Sequence, residues 1–475
     1  MQQLTPLDAA NLYMETSTSY WHVATLIIFD GATSDGATLG RMKERYRERL
    51  PLLTPMRRKL VEVPLHLDYP YWADDHDLDL DEHIHQISLK PPVDVGQLAE
   101  LVAELTARPL DRSRPLWQLY VIDGLPDGRI AHLTLCHHAT ADGVAFVRML
   151  MNLLDHDAAG GHEPVPEPTH EVAPTRTQML GHSLASFASQ PLRQGRVAAK
   201  LLSSIPRIAG TLRHASLREA PPTPFNDTIG PHRAVAFTSI PLGDIRAVKD
   251  AVGVTVNDVV LGTCAGAVRA YLERTASLPE ESLRAMIPVS VRTDEEPDVY
   301  GNRVSATVTS LHTDVEDPIE RLRLIAESMA VAKQAATAIP GDVLGDLEAL
   351  VPAVVVESAV RVIGHVRPFN VVVSNVPGPR IPLFAGGAEM LHYYPFAPVV
   401  DGLGLNISLF SYAGQIEFGL NACRDLVPDV SDLCTLLHDS FDELRAELAA
   451  IGLEPTADIR EPEQMVLDEE PTVGS

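Results

Sequence analysis

Two adjacent histidines open the run His137-His138-Ala139-Thr140-Ala141-Asp142-Gly143. An imidazole loses its proton near neutral pH, so one held at the end of a rigid element is suited to work as a general base. The Asp142 carboxylate, four residues after His138, can reach back to fix the local geometry, and Gly143 supplies turn chemistry by tolerating backbone angles that other residues avoid. Two other readings compete: a hydrogen-bonded core pair, or metal ligands. The metal reading lacks support, because the chain has neither His-Glu-x-x-His nor Cys-x-x-Cys. No metal is expected.

The flanking pattern places the pair. Ile130 to Cys136 is an apolar, β-prone run, and Val144 to Leu154 has helical periodicity, so the histidines stand where a strand gives way to a helix. Residues 22–29 and 116–122 read as further strands, and 38–50 and 95–108 as helices. Beyond residue 225, 255–272 reads as a buried helix, 283–291 as a strand and 317–354 as helical with a break at Pro340-Gly341. Residues 369–374, 405–412 and 415–421 read as strands, the last two joined across Ala413-Gly414, and 428–451 as a closing helix. Mixed strands and helices without a strict alternation predict an α/β chain of mixed α+β character.

With 475 residues, two cores are expected. Prolines and paired glycines mark 155–175 as a linker, and seven acids with several prolines mark the stretch from Glu454 as a disordered tail. The predicted domains are therefore 1–155, a 156–225 linker, 226–452 and a 453–475 tail. A net charge of −26 argues against nucleic acid as a partner. The exception is Arg176 to Arg218, which carries seven basic residues, no acid and interleaved leucines. It reads as a membrane-surface element, as a helical linker, or as a stretch that attracts the phosphates of a nucleotide-bearing substrate. No apolar run reaches the ~18 residues of a membrane span, and no signal peptide is read at the start. Cys136, Cys264, Cys423 and Cys434 show no framework spacing, so a cytoplasmic location is expected.

Several segments taken in order resemble one family. They are Leu4-Thr5-Pro6-Leu7-Asp8-Ala9, Arg114-Pro115-Leu116-Trp117, the histidine motif, Asn226 to Arg233 with its Ile229-Gly230-Pro231 centre, Asn257-Asp258-Val259-Val260-Leu261 and Ser374-Asn375-Val376-Pro377-Gly378-Pro379. Together they resemble the bacterial wax ester synthase/diacylglycerol acyltransferase family over nearly the whole chain. The histidine motif alone resembles the wider superfamily of chloramphenicol acetyltransferase and peptide-synthetase condensation domains.

The resemblance implies two chloramphenicol-acetyltransferase-like lobes with a substrate tunnel between them. It implies His138 as general base, with His137, Asp142 and Gly143 supporting the motif. The substrates implied are acyl-CoA, as co-substrate and not cofactor, and diacylglycerol or a long-chain alcohol, giving triacylglycerol or wax ester. Such substrates suit peripheral docking on a membrane or lipid droplet. Asn257 has two readings, an oxyanion donor and the N-cap of its helix. Ser374 and Asn375 either line the tunnel or form a strand-ending turn, and Trp117 either touches substrate or packs the motif strand. Residues 385–388 either leave room for an acyl chain or make a glycine turn. Other functions compatible with the motif are a specialised acyltransferase for a complex lipid or polyketide alcohol, a silent lipid-binding homologue and a metal hydrolase. The sequence is silent on oligomeric state.

Overall fold

The computed structural model describes residues 2–64, 67–160, 165, 175, 177–183, 219–290, 304–337 and 367–453. The basic stretch 176–218, apart from a helical turn at 177–183, lies outside the described residues. So do most of the 156–225 linker, the second half of the 317–354 helical pattern and the 454–475 tail.

In chain order the strands are β1 (Gln2–Gln3), β2 (His22–Phe29), β3 (Arg58–Val61), β4 (Tyr71–Asp74), β5 (Ile84–Ser88), β6 (Trp117–Asp123), β7 (Ile130–His137), β8 (Arg233–Pro241), β9 (Arg284–Ser290), β10 (Val304–Ser310), β11 (Val371–Pro377), β12 (Phe384–Ala385), β13 (Ala388–Phe396), β14 (Leu405–Tyr412) and β15 (Gln415–Cys423). The helices are α1 (Pro6–Tyr13), α2 (Leu39–Arg49), α3 (Val95–Thr106), α4 (Gly143–Leu153), α5 (Leu242–Val252), α6 (Val256–Arg274), α7 (Pro318–Thr337) and α8 (Val430–Ala450).

They form two six-stranded sheets, ordered β12-β13-β2-β7-β6-β5 and β10-β9-β11-β14-β15-β8, with a small sheet β1-β4-β3 beside the first. The first sheet is covered on both faces. One carries α2 and α4 residues such as Tyr46 and Met149, and the other carries α1 and α3 residues such as Leu12 and Val102. Burial on both faces is why β2 and β7 read as near-continuous apolar runs. In the second lobe α5, α6, α7 and α8 share one core with their sheet. α6 starts from a capping box in which Thr255 and Asp258 bond reciprocally. No single helix among the described residues is long and apolar enough to cross a membrane.

The expected boundary at residue 226 is crossed. β12 and β13 come from the second half of the chain yet extend the first sheet, with β13 pairing antiparallel to β2 from Met390–Phe29 to Phe396–Ala24. β13 escaped the sequence reading because Glu389, His392 and Pro395 break its apolar pattern, and proline within a strand argues against a central position. Residues 385–388 are the β12–β13 turn, with Gly386 and Gly387 at positive φ and the Gly386 N–H bonded to Asp155 at 3.1 Å. The glycine-turn reading therefore replaces the acyl-chain reading there.

Candidate active site

β7 delivers His137 and His138 to a turn tethered on both sides. The His137 N–H donates to Leu116 O and the His138 N–H to Trp21 O, each at 2.9 Å. Thr140 closes the turn by donating its N–H (3.0 Å) and Oγ1 (2.7 Å) to His137 O. Trp21 occupies the left-handed region at φ 49°, which costs a non-glycine residue of order 1–3 kcal/mol and is typical of functional positions. That conformation presents its carbonyl to His138, and its ring meets the His138 ring edge-on at 6.3 Å.

The two histidines have different environments. His137 is fully buried; its Nδ1 accepts from the Ala139 N–H at 3.0 Å and its Nε2 lies 3.2 Å from Glu15 Oε1. An Nδ1 that accepts leaves the proton on Nε2, so His137 is a neutral imidazole with a carboxylate 3.2 Å from that nitrogen. Burial pushes its pKa down, opposed by Glu15. It has no lone pair left with which to take a substrate proton. His138 is half-buried and is the imidazole of the pair placed at the turn's surface.

Asp142 is the N-cap of α4: its Oδ1 accepts from the Ala145 N–H at 2.9 Å. Gly143 was expected to supply an unusual backbone angle, but it is not among the positive-φ residues. Its reason is space, since a Cβ there would lie 2.6 Å from Val376 Cγ2 of β11. This contact brings the Ser374-to-Pro379 segment from the second lobe against the motif turn. The turn reading of that segment is corrected too. β11 runs on through Ser374, Asn375 and Pro377, in parallel register with Ser408, Leu409 and Ser411, and the chain leaves the sheet only at Gly378.

Asn257 is not a cap, because Thr255 takes that place. Its Oδ1 faces Asn375 Nδ2 at 3.5 Å, a contact across which two of the expected site residues meet. Ser374 is half-buried on β11. Trp117 is a packing residue: it is buried, its Nε1 donates to Met56 O at 2.6 Å, and its ring is stacked between His83 (4.5 Å) and Tyr46 (5.3 Å). The substrate-contact reading of Trp117 is overturned, since no face of the indole is left for a ligand.

Glu15, Arg112, Trp21 and His22 were missed by the sequence reading. Arg112 pairs with Glu15 and also donates to Leu12 O at 2.9 Å. His22 is registered opposite His137 and bonds Thr106 O through Nε2 at 2.8 Å; burial pushes its pKa down to about 4. Beside Trp21 and His22 lies a small open cleft between the lobes, also lined by Arg233, Phe396 and Asn421. Among the described residues, no group of three or more His, Cys, Asp or Glu could hold a metal ion.

With this geometry the chain was compared with known proteins. Residues 4–260 match the wax ester synthase/diacylglycerol acyltransferase catalytic domain, and 300–445 match the C-terminal domain of the same family. The chain belongs to that family. A putative diacylglycerol O-acyltransferase of Mycobacterium tuberculosis is 37% identical over 464 residues, covering 95% of this chain and 100% of the relative. Another from the same species is 34% identical over 462 residues, covering 94% and 90%. The wax ester synthase/diacylglycerol acyltransferase of Marinobacter aquaeolei VT8 superposes with a TM-score of 0.69 at 30% identity, covering 94% of this chain and 100% of that one. The starter condensation domain of rhizomide synthetase, solved with C8-CoA, shares the fold at a TM-score of 0.57 and 14% identity, covering 95% of each chain. The two-lobed architecture expected of a family member is the one observed.

Proposed function

We propose that this chain transfers a long-chain acyl group from acyl-CoA to a lipid hydroxyl, with diacylglycerol as the main acceptor and a long-chain alcohol as the second, and that His138 is the base. The observation that carries the assignment of the base is the burial of the neighbouring His137, whose one lone pair is taken by the Ala139 N–H and whose Nε2 stands 3.2 Å from Glu15. A thioester is already a good acyl donor, whereas an alcohol is far too weakly acidic to be ionised at neutral pH. His138 takes the hydroxyl proton as the oxygen attacks the thioester carbonyl. The tetrahedral intermediate then expels the thiolate, which receives that proton, leaving ester and free CoA. The Asn257 amide, opposed to Asn375, is the candidate donor to the oxyanion. The work is done at a cytoplasmic lipid surface, a reading supported by the insolubility of the acceptors and by the basic stretch 176–218 in an acidic chain.

The test is CoA release from a long-chain acyl-CoA with diacylglycerol, hexadecanol or no acceptor, presented on liposomes, for wild type beside His138→Ala. General-base assistance predicts acceptor-dependent release that falls by ~10²–10⁴ in the variant. Acceptor-dependent release that survives in folded His138→Ala would refute the base. Protein left wholly in the supernatant after the liposomes are sedimented would remove the lipid-surface reading.

A further inference from the structure

We infer that Glu15, braced by Arg112, is a positioning residue for acyl transfer, holding His137 in one tautomer and orientation and through it the backbone that carries His138. The inference rests on His138 being the base.

Three separate parts of the chain meet here. Glu15 follows α1, Arg112 lies between α3 and β6, and His137 ends β7. One Glu15 oxygen lies 3.2 Å from His137 Nε2 and the other accepts from Arg112, whose second bond to Leu12 O anchors the guanidinium to the end of α1. The His137 side chain is 1% exposed and that of Glu15 only 19%. Water therefore offers the imidazole N–H no comparable acceptor.

The second nitrogen converts this anchor into a constraint on the site. His137 Nδ1 accepts from the Ala139 N–H at 3.0 Å. That N–H belongs to the peptide on the C-terminal side of His138. On the N-terminal side, the His138 N–H is bonded to Trp21 O at 2.9 Å. His138 is thus held from both ends, once by Trp21 and once by the series Arg112–Glu15–His137–Ala139. If the His137 proton moved to Nδ1, two N–H groups would oppose each other and the turn would open. A carboxylate at Nε2 selects the tautomer that keeps it closed. The charged and titratable groups around Glu15 are Arg112 from the loop before β6 and the neutral imidazoles of His137 from β7 and His22 from β2, with Arg233 beyond His22. Burial raises the Glu15 pKa, but its contacts with His137 and Arg112 outweigh this and hold it below the usual carboxylate range, so the acceptor is ionised at neutral pH.

The experiment compares Glu15→Ala, Glu15→Gln and His138→Ala with wild type, reading kcat, KM for acyl-CoA, thermal midpoint and the ring ¹⁵N spectrum of labelled histidine. A displaced base predicts that Glu15→Ala loses ~10–100-fold in kcat with KM within about threefold. Its His137 ring should change from a single Nε2–H tautomer to a mixture. Glu15→Gln keeps a carbonyl acceptor for the same N–H, so it should recover kcat to within about fivefold of wild type and retain the single tautomer. A Glu15→Ala kcat within twofold of wild type, or a Gln variant as impaired as the Ala variant with its tautomer unchanged, would overturn the inference. Should Glu15→Ala not fold, the Gln variant and its spectrum decide. If His138→Ala is inactive while both Glu15 variants are normal, positioning fails and the base stands; if folded His138→Ala keeps its activity, the base itself is wrong.

Discussion

Both lobes are built on six-stranded sheets, yet the first buries four histidines, His22, His83, His132 and His137, whereas no histidine is buried among the described residues of the second. Three of the four lie on the paired strands β2 and β7, with His22 opposite His137 and His132 opposite Ile27. Three are bonded to a backbone carbonyl, Thr106 O for His22, Ala37 O at 2.7 Å for His132 and Trp117 O at 2.8 Å for His83, and His137 Nε2 lies 3.2 Å from the Glu15 carboxylate. The second lobe instead packs four helices over one continuous apolar core, with its buried polar groups mostly amides and hydroxyls. The first lobe accepts the cost of burying titratable groups where it holds the motif turn. The second supplies a rigid wall whose Val376 presses on Gly143 and whose Asn375 meets Asn257.

If the second lobe is mainly a wall, damage to its core should reduce stability while leaving turnover intact. Leu433→Ala on α8, fully buried and away from the motif, should cost about 2–5 kcal/mol in denaturant unfolding with kcat per folded molecule unchanged. A matching loss of kcat in fully folded protein would show that this core also tunes the site.

The first lobe should carry the acid sensitivity. His22 and His132 are pushed down to about 4 by burial, from the ordinary imidazole value of 6.5. Between these pH values the unfolded chain binds protons that the folded chain does not, so stability falls as pH is lowered through that window. The loss should be roughly 1 kcal/mol per histidine at pH 5.5 and about 3 kcal/mol below pH 4. Denaturation midpoints at pH 7.5 and 5.5 measure it, and His132→Gln should remove one histidine's share. Midpoints independent of pH in wild type would contradict the neutral, buried assignment.

The smallest effect separates the lobes most cleanly. Asp142 caps α4 and Thr255 caps α6, each through a side-chain bond to a helix N–H. Replacement by Ala should cost ~1 kcal/mol at either site. Only Asp142→Ala should also lower kcat, because its helix begins at the turn bearing His138. Equal effects on kcat from the two variants would break the contrast.

The elements around the motif were legible because their signals are local. The expected strand 22–29 is β2, the expected 130–136 strand differs from β7 by one residue, and 144–154 differs from α4 by one at each end. Apolar runs bounded by turn residues report burial without knowledge of the partner. β13 was not legible, since its place between β12 and β2 is decided by the other half of the chain. Glu15 was illegible for a similar reason. It stands in a polar stretch, Glu15-Thr16-Ser17-Thr18-Ser19, with no helical or strand spacing to its partners, and Arg112 is 97 residues away. Trp117 shows the converse: an aromatic in a family-like segment says nothing of what covers its faces, and here His83 and Tyr46 do.

By itself the sequence determined the strand-to-helix junction, the imidazole, carboxylate and glycine placed on it, and the membership in a family of two-lobed acyltransferases that its ordered segments imply. All of these depend on residue types within a few positions of one another. Only the tertiary structure decided that His137 is the buried histidine whose Nδ1 is taken by the Ala139 N–H, that Gly143 is small because of Val376 rather than because of its backbone, and that Thr255 rather than Asn257 caps its helix. It also decided that a carboxylate near the start of the chain stands behind the motif. The physical reason is common to these outcomes. A group's proton, its room and its partners are set by whatever packs against it, and most of what packs here arrives from distant parts of the chain.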